Sequence, residues 1–241
     1  MAAFSSFLDI LPDPSNPIGE AGQSLSTGSG GVAGPGFASV KFTSEQPSSI
    51  SRTNSGKVIS RAIVGQRWKI QISYNPMTRE QFEPVYAFLQ EKRGRLQPFF
   101  VILPQYSSPR DSTLNRTITN NAAISAGDNH FVAAGFGSGN GELKVGDMIN
   151  INDSNNSTHK KAYQITRVMT NSNYLTGGTQ PTSSQRLYYV SPHFEKSVAS
   201  GQSIVYTNPK FRVIQTADVR EYDLGNNNLY QFSLSLEEAQ P

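Results

Sequence analysis

The chain has 241 residues, enough for one large all-β domain or two smaller ones. Charged residues are 16% and the balance of Lys+Arg 21 against Asp+Glu 18 gives +3, with no block of five like charges. That surplus is too small for sequence-specific nucleic-acid binding. The absence of cysteine excludes disulfides, thiolate metal sites and Cys nucleophiles.

Residues 1–36 read as a flexible arm. Pro12, Pro14, Pro17, Pro35 and the run Ser24–Gly31 cannot build a core alone. Phe4, Phe7, Leu8, Ile10 and Leu11 form an apolar cluster at its tip. Two readings stay open: a tip that docks on a neighbouring subunit, or a terminal helix packing on its own domain. The segment has no basic leader region, Asp9 interrupts its apolar run, and no stretch reaches the ~18 apolar residues of a membrane span.

The β pattern begins at Phe37, where Ala38, Val40 and Phe42 alternate with Ser39, Lys41 and Thr43. Ile50, Val58, Ile59, Ile63 and Val64 predict a long hairpin turning at Asn54-Ser55-Gly56-Lys57, since Asn and Gly supply positive φ. Trp68, Ile70, Ile72 and Tyr74 alternate with Lys69, Gln71 and Ser73, as a half-buried strand requires. Trp68 is expected in the core beside Phe100. Asn75-Pro76 breaks that strand. Thr78 with Gln81 has capping-box spacing, and Phe82, Val85, Leu89 and Phe88 or Tyr86 share one face of the helix that follows. Pro84 is expected to kink it, and Gly94 to close it. The basic spot Lys92-Arg93-Gly94-Arg95 reads as a helix terminus facing the dipole rather than a phosphate site. Phe99–Leu103 is an apolar strand ended by Pro104.

From Gln66 to Pro104 the order is a Trp-bearing strand, a polar helix ending in Arg-Gly-Arg, then an aromatic strand ending in Pro. This order resembles tail-tip proteins of long-tailed bacteriophages, the minor tail and distal tail proteins that extend the tube to the baseplate. Asn227–Ala239 is similar to their closing strand. The resemblance covers about residues 37–105 and 208–239. It implies a mainly β fold, a tail-tube-like β-sandwich with one flanking helix, interrupted by a small β-barrel-like inserted domain. The division is a flexible arm at 1–36, the first part of the tube-like domain at 37–108, the insert at 109–207 and the closing strands at 208–241. It further implies a virion tail protein made in the bacterial host cytoplasm, with partners that are its own copies in a ring of six, the tail tube protein, and baseplate hub or fibre proteins. Membrane is not among them. The long hairpin would contact the neighbouring ring, so Asn54, Gly56 and Lys57 join the apolar tip residues as candidate docking positions.

The insert shows short strands separated by Asn, Ser and Gly, the pattern of a small barrel or sandwich. Its Val145-Gly146-Asp147-Met148-Ile149-Asn150-Ile151 phrase resembles the opening strand of small SH3-like or oligonucleotide-fold barrels. No chemistry-bearing motif stands out, so no catalytic, cofactor or metal residues are assigned and the chain reads as no enzyme. His130, His159 and His193 lack partners at ligand spacing, and His159 sits in a polar run expected to be solvated. Glu142, Asp147 and Asp153 lack the glycine and closing Glu of a calcium loop, so turns are the simpler reading. Gly135–Gly141 has no Lys-Ser/Thr after it and reads as a loop. Tyr188 and Tyr189 must face opposite sides of a strand. The alternative function is a host-surface or carbohydrate-binding module displayed on the virion.

Overall fold

The structure, a computed structural model, describes residues 9–14, 18–19, 31–32, 34–62, 65–137, 139–156, 159–175, 177, 179–218 and 221–239. The chain divides into two compact units, one from 1–101 with 213–239 and one from 102–212. The turn-rich sequence boundaries lie nearby, at 108/109 and 207/208.

In chain order the strands of the first unit are β1 (Ile18–Gly19), β2 (Gly31–Val32), β3 (Phe37–Glu45), β4 (Ser48–Arg52), β5 (Val58–Ala62), β6 (Arg67–Tyr74) and β7 (Phe99–Ile102), with helix α1 (Arg79–Glu91) before β7. The second unit holds β8 (Thr119–Asn120), β9 (His130–Ala134), β10 (Met148–Asn152), β11 (Tyr163–Met169), β12 (Gln185–Ser191) and β13 (Ser203–Val205). The chain returns through β14 (Lys210–Gln215) to β15 (Asp223–Leu224), β16 (Tyr230–Gln231) and β17 (Ser233–Glu238). The fold is mainly β.

The main sheet runs β3-β6-β17-β14-β7. β6 is its axis, antiparallel to β3 on one side and β17 on the other. Its period-two pattern is realised: Trp68, Ile70, Ile72 and Tyr74 are buried, and the residues between them are not. β17 follows the same rule, with Leu234 and Leu236 buried between exposed serines. α1 lays Phe82, Val85, Phe88 and Leu89 inward. Phe88 meets Phe99 edge-on at 5.5 Å, and Phe82 meets Phe232 at 5.8 Å. Trp68 is in the core as expected, stacked on Phe42 at 4.8 Å.

The helix starts as its sequence dictates. Thr78 N–H donates to Gln81 Oε1 at 3.3 Å, the return half of a capping box. α1 continues through Pro84 to Glu91. Its end differs from expectation: the first left-handed residue is Arg93, φ 49, and Gly94 follows at φ 66. Gly94 is required by its φ, while the space beside it is bounded only by the tip of an exposed side chain that can turn away. A Cβ there would lie 3.0 Å from Asp218 Oδ1. Gly94→Ala should therefore destabilise the fold by about 1–2 kcal/mol, read as a lowered urea midpoint with unchanged m. A neutral or stabilising result would mean that the loop relaxes freely.

Two of the three cations at this helix end, Lys92 and Arg95, are paired inside the unit. Lys92 Nζ lies 2.5 Å from Asp9 Oδ1 and over the Phe88 ring. Arg95 donates to Thr216 O and lies 3.9 Å from Asp218.

Asp9 belongs to a short segment that corrects one expectation. Ile10 bridges Phe100 in parallel, Leu11 N–H donates to Phe100 O at 2.7 Å, and Phe100 N–H donates to Asp9 O at 2.7 Å. Ile10 and Leu11 are 8% and 0% exposed. These two residues therefore pack into their own chain, held by a strand bridge rather than a helix, and are not a free docking tip. Phe4, Phe7 and Leu8 lie outside the described residues.

The second unit is a closed barrel, β10-β11-β12-β9-β8-β13 and back to β10. Closure removes unpaired edges. Phe131, Ile149, Ile151, Tyr163, Ile165, Tyr188, Phe194 and Ile204 fill it. The Val-Gly-Asp phrase is a turn with a structural carboxylate. Asp147 accepts from Arg110 N–H at 2.9 Å and Lys144 N–H at 2.7 Å, and Gly146 takes φ 99. Of the phrase, only Met148 to Ile151 lie in strand β10.

Candidate functional site

Three places in the described residues concentrate chemistry or exposed apolar surface. The first is the arm formed by β4 and β5. It leaves the β3–β6 ladder beyond the pair Glu45–Arg67 and turns at Thr53–Lys57. Gly56 N–H donates to Thr53 O at 2.9 Å, Thr53 N–H to Lys57 O at 3.0 Å, and Gly56 adopts φ 81. The hairpin expected at Asn54, Gly56 and Lys57 is thus formed. Each strand of five residues reaches roughly 17 Å.

Every side chain from 48 to 61 is exposed. Ile50, Val58 and Ile59 are 65%, 55% and 52% exposed. The two strands form a sheet by themselves, so both outer edges are unpaired among the described residues. A lone two-stranded hairpin is marginal in water, and bare edges with apolar side chains attract other chains. The register sorts the faces. Ile50, Arg52 and Val58 lie on one; Lys57, Ile59 and Arg61 lie on the other, opposite Thr53, Ser51 and Ser49. The arm carries three cations and no carboxylate.

The second place is an open cleft of about 570 Å³ in the first unit. Tyr74, Pro76, Tyr222 and Phe232 line it with Ser73, Gln231, Ser233, Glu221 and Asp223. Tyr222 is 46% exposed, the one aromatic in the exposed class among the described residues. It is backed by Phe82 at 5.0 Å, Tyr86 at 5.6 Å and Tyr230 at 5.6 Å. The Tyr74 hydroxyl is buried and has no hydrogen-bond partner among the described residues. Burial, then the charge of Asp13, pushes its phenol up from its ordinary range. Glu221 and Asp223 are exposed, and neither has an ion-pair partner among the described residues. Sequence reading missed this cleft because its rings come from β6, the loop before β15 and the link between β16 and β17. The local trace is the triplet Glu221-Tyr222-Asp223 in a polar connection.

The third place corrects the reading of His159 as solvated. His159 and Asp153 side chains are each 1% exposed, with Nδ1 3.6 Å from Oδ2. His159 Nε2 lies 2.7 Å from the Tyr163 hydroxyl, which accepts from Glu195 N–H at 3.3 Å. Lys161 Nζ pairs with Glu195 at 3.1 Å. Only Asp153, His159 and Lys161 of the run are buried; Asn152, Ser154 and Asn155 are exposed, and Asp153 Oδ2 and His159 Nδ1 make no hydrogen bond among the described residues. Desolvation lowers the imidazole pKa, against the pull of Asp153 and Glu195. The Asp–His–hydroxyl array is thus buried, with the Asp153 and His159 side chains each 1% exposed and Tyr163 0% exposed.

The other singled-out residues stay apart. His130 Nδ1 lies 3.0 Å from Asn129 Oδ1, and its ring packs on Tyr189; His193 is exposed. Glu142 makes a two-nitrogen pair with Arg186, at 2.8 and 2.5 Å. No cluster of three His, Cys, Asp or Glu capable of holding a metal exists among the described residues. Tyr188 is buried and Tyr189 half-buried, on opposite faces of β12.

Comparison with known proteins bears on the arm and the main sheet. Residues 28–106 match the family described as distal tail protein pb9, A domain, N-terminal. That span holds the arm, α1 and β7. Distal tail protein pb9 of Escherichia phage T5 is 28% identical over 209 residues, covering 86% of this chain and 93% of that one. The chain is a structural tail protein of the virion, similar to phage distal tail proteins. No helix among the described residues is long and apolar enough to cross a membrane.

Proposed function

We propose that this tail protein forms a closed ring, six copies around, at the distal end of the tail tube. There it joins the tube to baseplate hub or fibre proteins, without catalysis. The observation that carries this reading is the β4–β5 arm. It exposes Ile50, Val58 and Ile59 and two strand edges that are unpaired among the described residues. Burying each such side chain contributes on the order of 1.5–3 kcal/mol, so neighbouring copies gain from covering them. Most soluble homo-oligomers close by rotation, which leaves no arm uncovered.

Electron micrographs of purified tails, with native mass spectrometry of the protein, test the reading. Rings of six at the distal tip are expected. A monomer within the tail, or an open filament of subunits, would refute it. The host-surface alternative draws no support from the insert, since the exposed aromatic Tyr222 lies in the other unit.

A further inference from the structure

The arm and the cleft carry complementary chemistry on the same chain. One face of the arm presents cation, apolar, cation as Lys57, Ile59 and Arg61. The cleft presents carboxylate, ring, carboxylate as Glu221, Tyr222 and Asp223. None of these four charged groups has an ion-pair partner among the described residues. We infer that the Lys57–Arg61 face of the β4–β5 arm of one copy seats in the Glu221–Asp223 cleft of a second copy, with Tyr222 as the anchoring ring. This inference rests on the ring reading and names the surface that receives the arm.

Three physical features support the seat. Tyr222 is a large ring held from behind by Phe82, Tyr86 and Tyr230, so it is already oriented and loses little freedom when covered. Tyr rings at the centre of a patch with a charged rim are the usual anchors of interfaces. A Lys or Arg over a Tyr face gains attraction beyond its carboxylate partner. The serines along the arm, Ser49 and Ser51, are small enough to let its backbone approach. A heterologous contact of this kind, arm of one copy into cleft of the next, closes into a ring when its rotation fits.

The absence of cysteine allows a clean test. Lys57→Cys and Asp223→Cys are made as separate full-length variants, mixed, and mildly oxidised. A disulfide-linked pair from the mixture, absent when Lys57→Cys is mixed with Leu175→Cys, an exposed position of the other unit, is expected. In parallel, Lys57→Glu with Arg61→Glu should weaken assembly by at least about tenfold, as should Glu221→Lys with Asp223→Lys. Mixing the two reversed proteins should restore association between them, which a folding defect could not do. If the wild type assembles while cleft reversal changes nothing, or the crosslink fails, the cleft is not the seat and the ring reading survives. If the wild type is monomeric in tails, both readings fail together.

Discussion

Leu11→Ala is expected to cost the isolated protein about 2–5 kcal/mol, the range for deleting a fully buried leucine side chain. Leu11 is 0% exposed, and its backbone is bonded to Phe100 at the edge of the main sheet. The loss should appear in urea unfolding of purified protein with no partner present. Asp9→Ala should act in the same direction through another route, since it strips the partner from Lys92, whose side chain is 4% exposed. An unchanged urea midpoint for Leu11→Ala, combined with failed incorporation into tails, would instead return Leu11 to a docking role.

The N-terminal segment shows where a sequence is legible and where it is not. β6, the α1 start and the β4–β5 turn are written locally: alternation in Trp68–Tyr74, capping at Thr78 and Gln81, Asn and Gly at 54–56. Each signal and the structure it specifies lie within ten residues. Ile10 finds Phe100 across ninety positions of chain, and no local pattern encodes that bridge. The cleft is hidden for the same reason, because Tyr222 gains its meaning only beside Phe82 and Tyr230. His159 misleads differently. Polar neighbours suggest solvent until Asp153 and Tyr163 are seen to close around it. The left-handed turn at Arg93 was masked by the adjacent glycine, which looks like the natural site for it.

Helix and arm also differ in what fixes them. α1 is specified twice, by its caps and by the apolar face that the sheet requires. The arm is specified by its turn alone, and nothing in its own described surroundings covers Ile50 or Ile59. Strong local encoding with no intrachain burial is what a segment shaped for another surface should show.

Acidification should loosen the second unit through His159. Its pKa is lowered in the folded state, chiefly by burial, so the unfolded chain binds the proton more readily. The sign follows: above the unfolded value near pH ~6.5 the group is neutral in both states and contributes no pH slope. As pH falls below that value, the unfolded state gains a proton that the folded state resists, and stability is lost until the folded pKa is passed. The charges facing the ring are Asp153 and Glu195, which favour the cation, and Lys196, which opposes it; Lys161 is held by Glu195. Asp111 adds a separate loss at lower pH. Its carboxyl is held down at about 2, first by the Thr113 hydroxyl and then by the backbone N–H groups of Thr113 and Glu142. Amide exchange across Tyr163–Met169 separates the two, being read between pH 8 and 5 after correction for the intrinsic rate. Protection there should fall on acidification in the wild type and stay level in His159→Gln. The variant should itself be less stable at pH 8 by roughly 1–3 kcal/mol, because Tyr163 and Asp153 lose a buried neighbour. Equal loss of protection in both proteins would show that the imidazole is not the group that titrates.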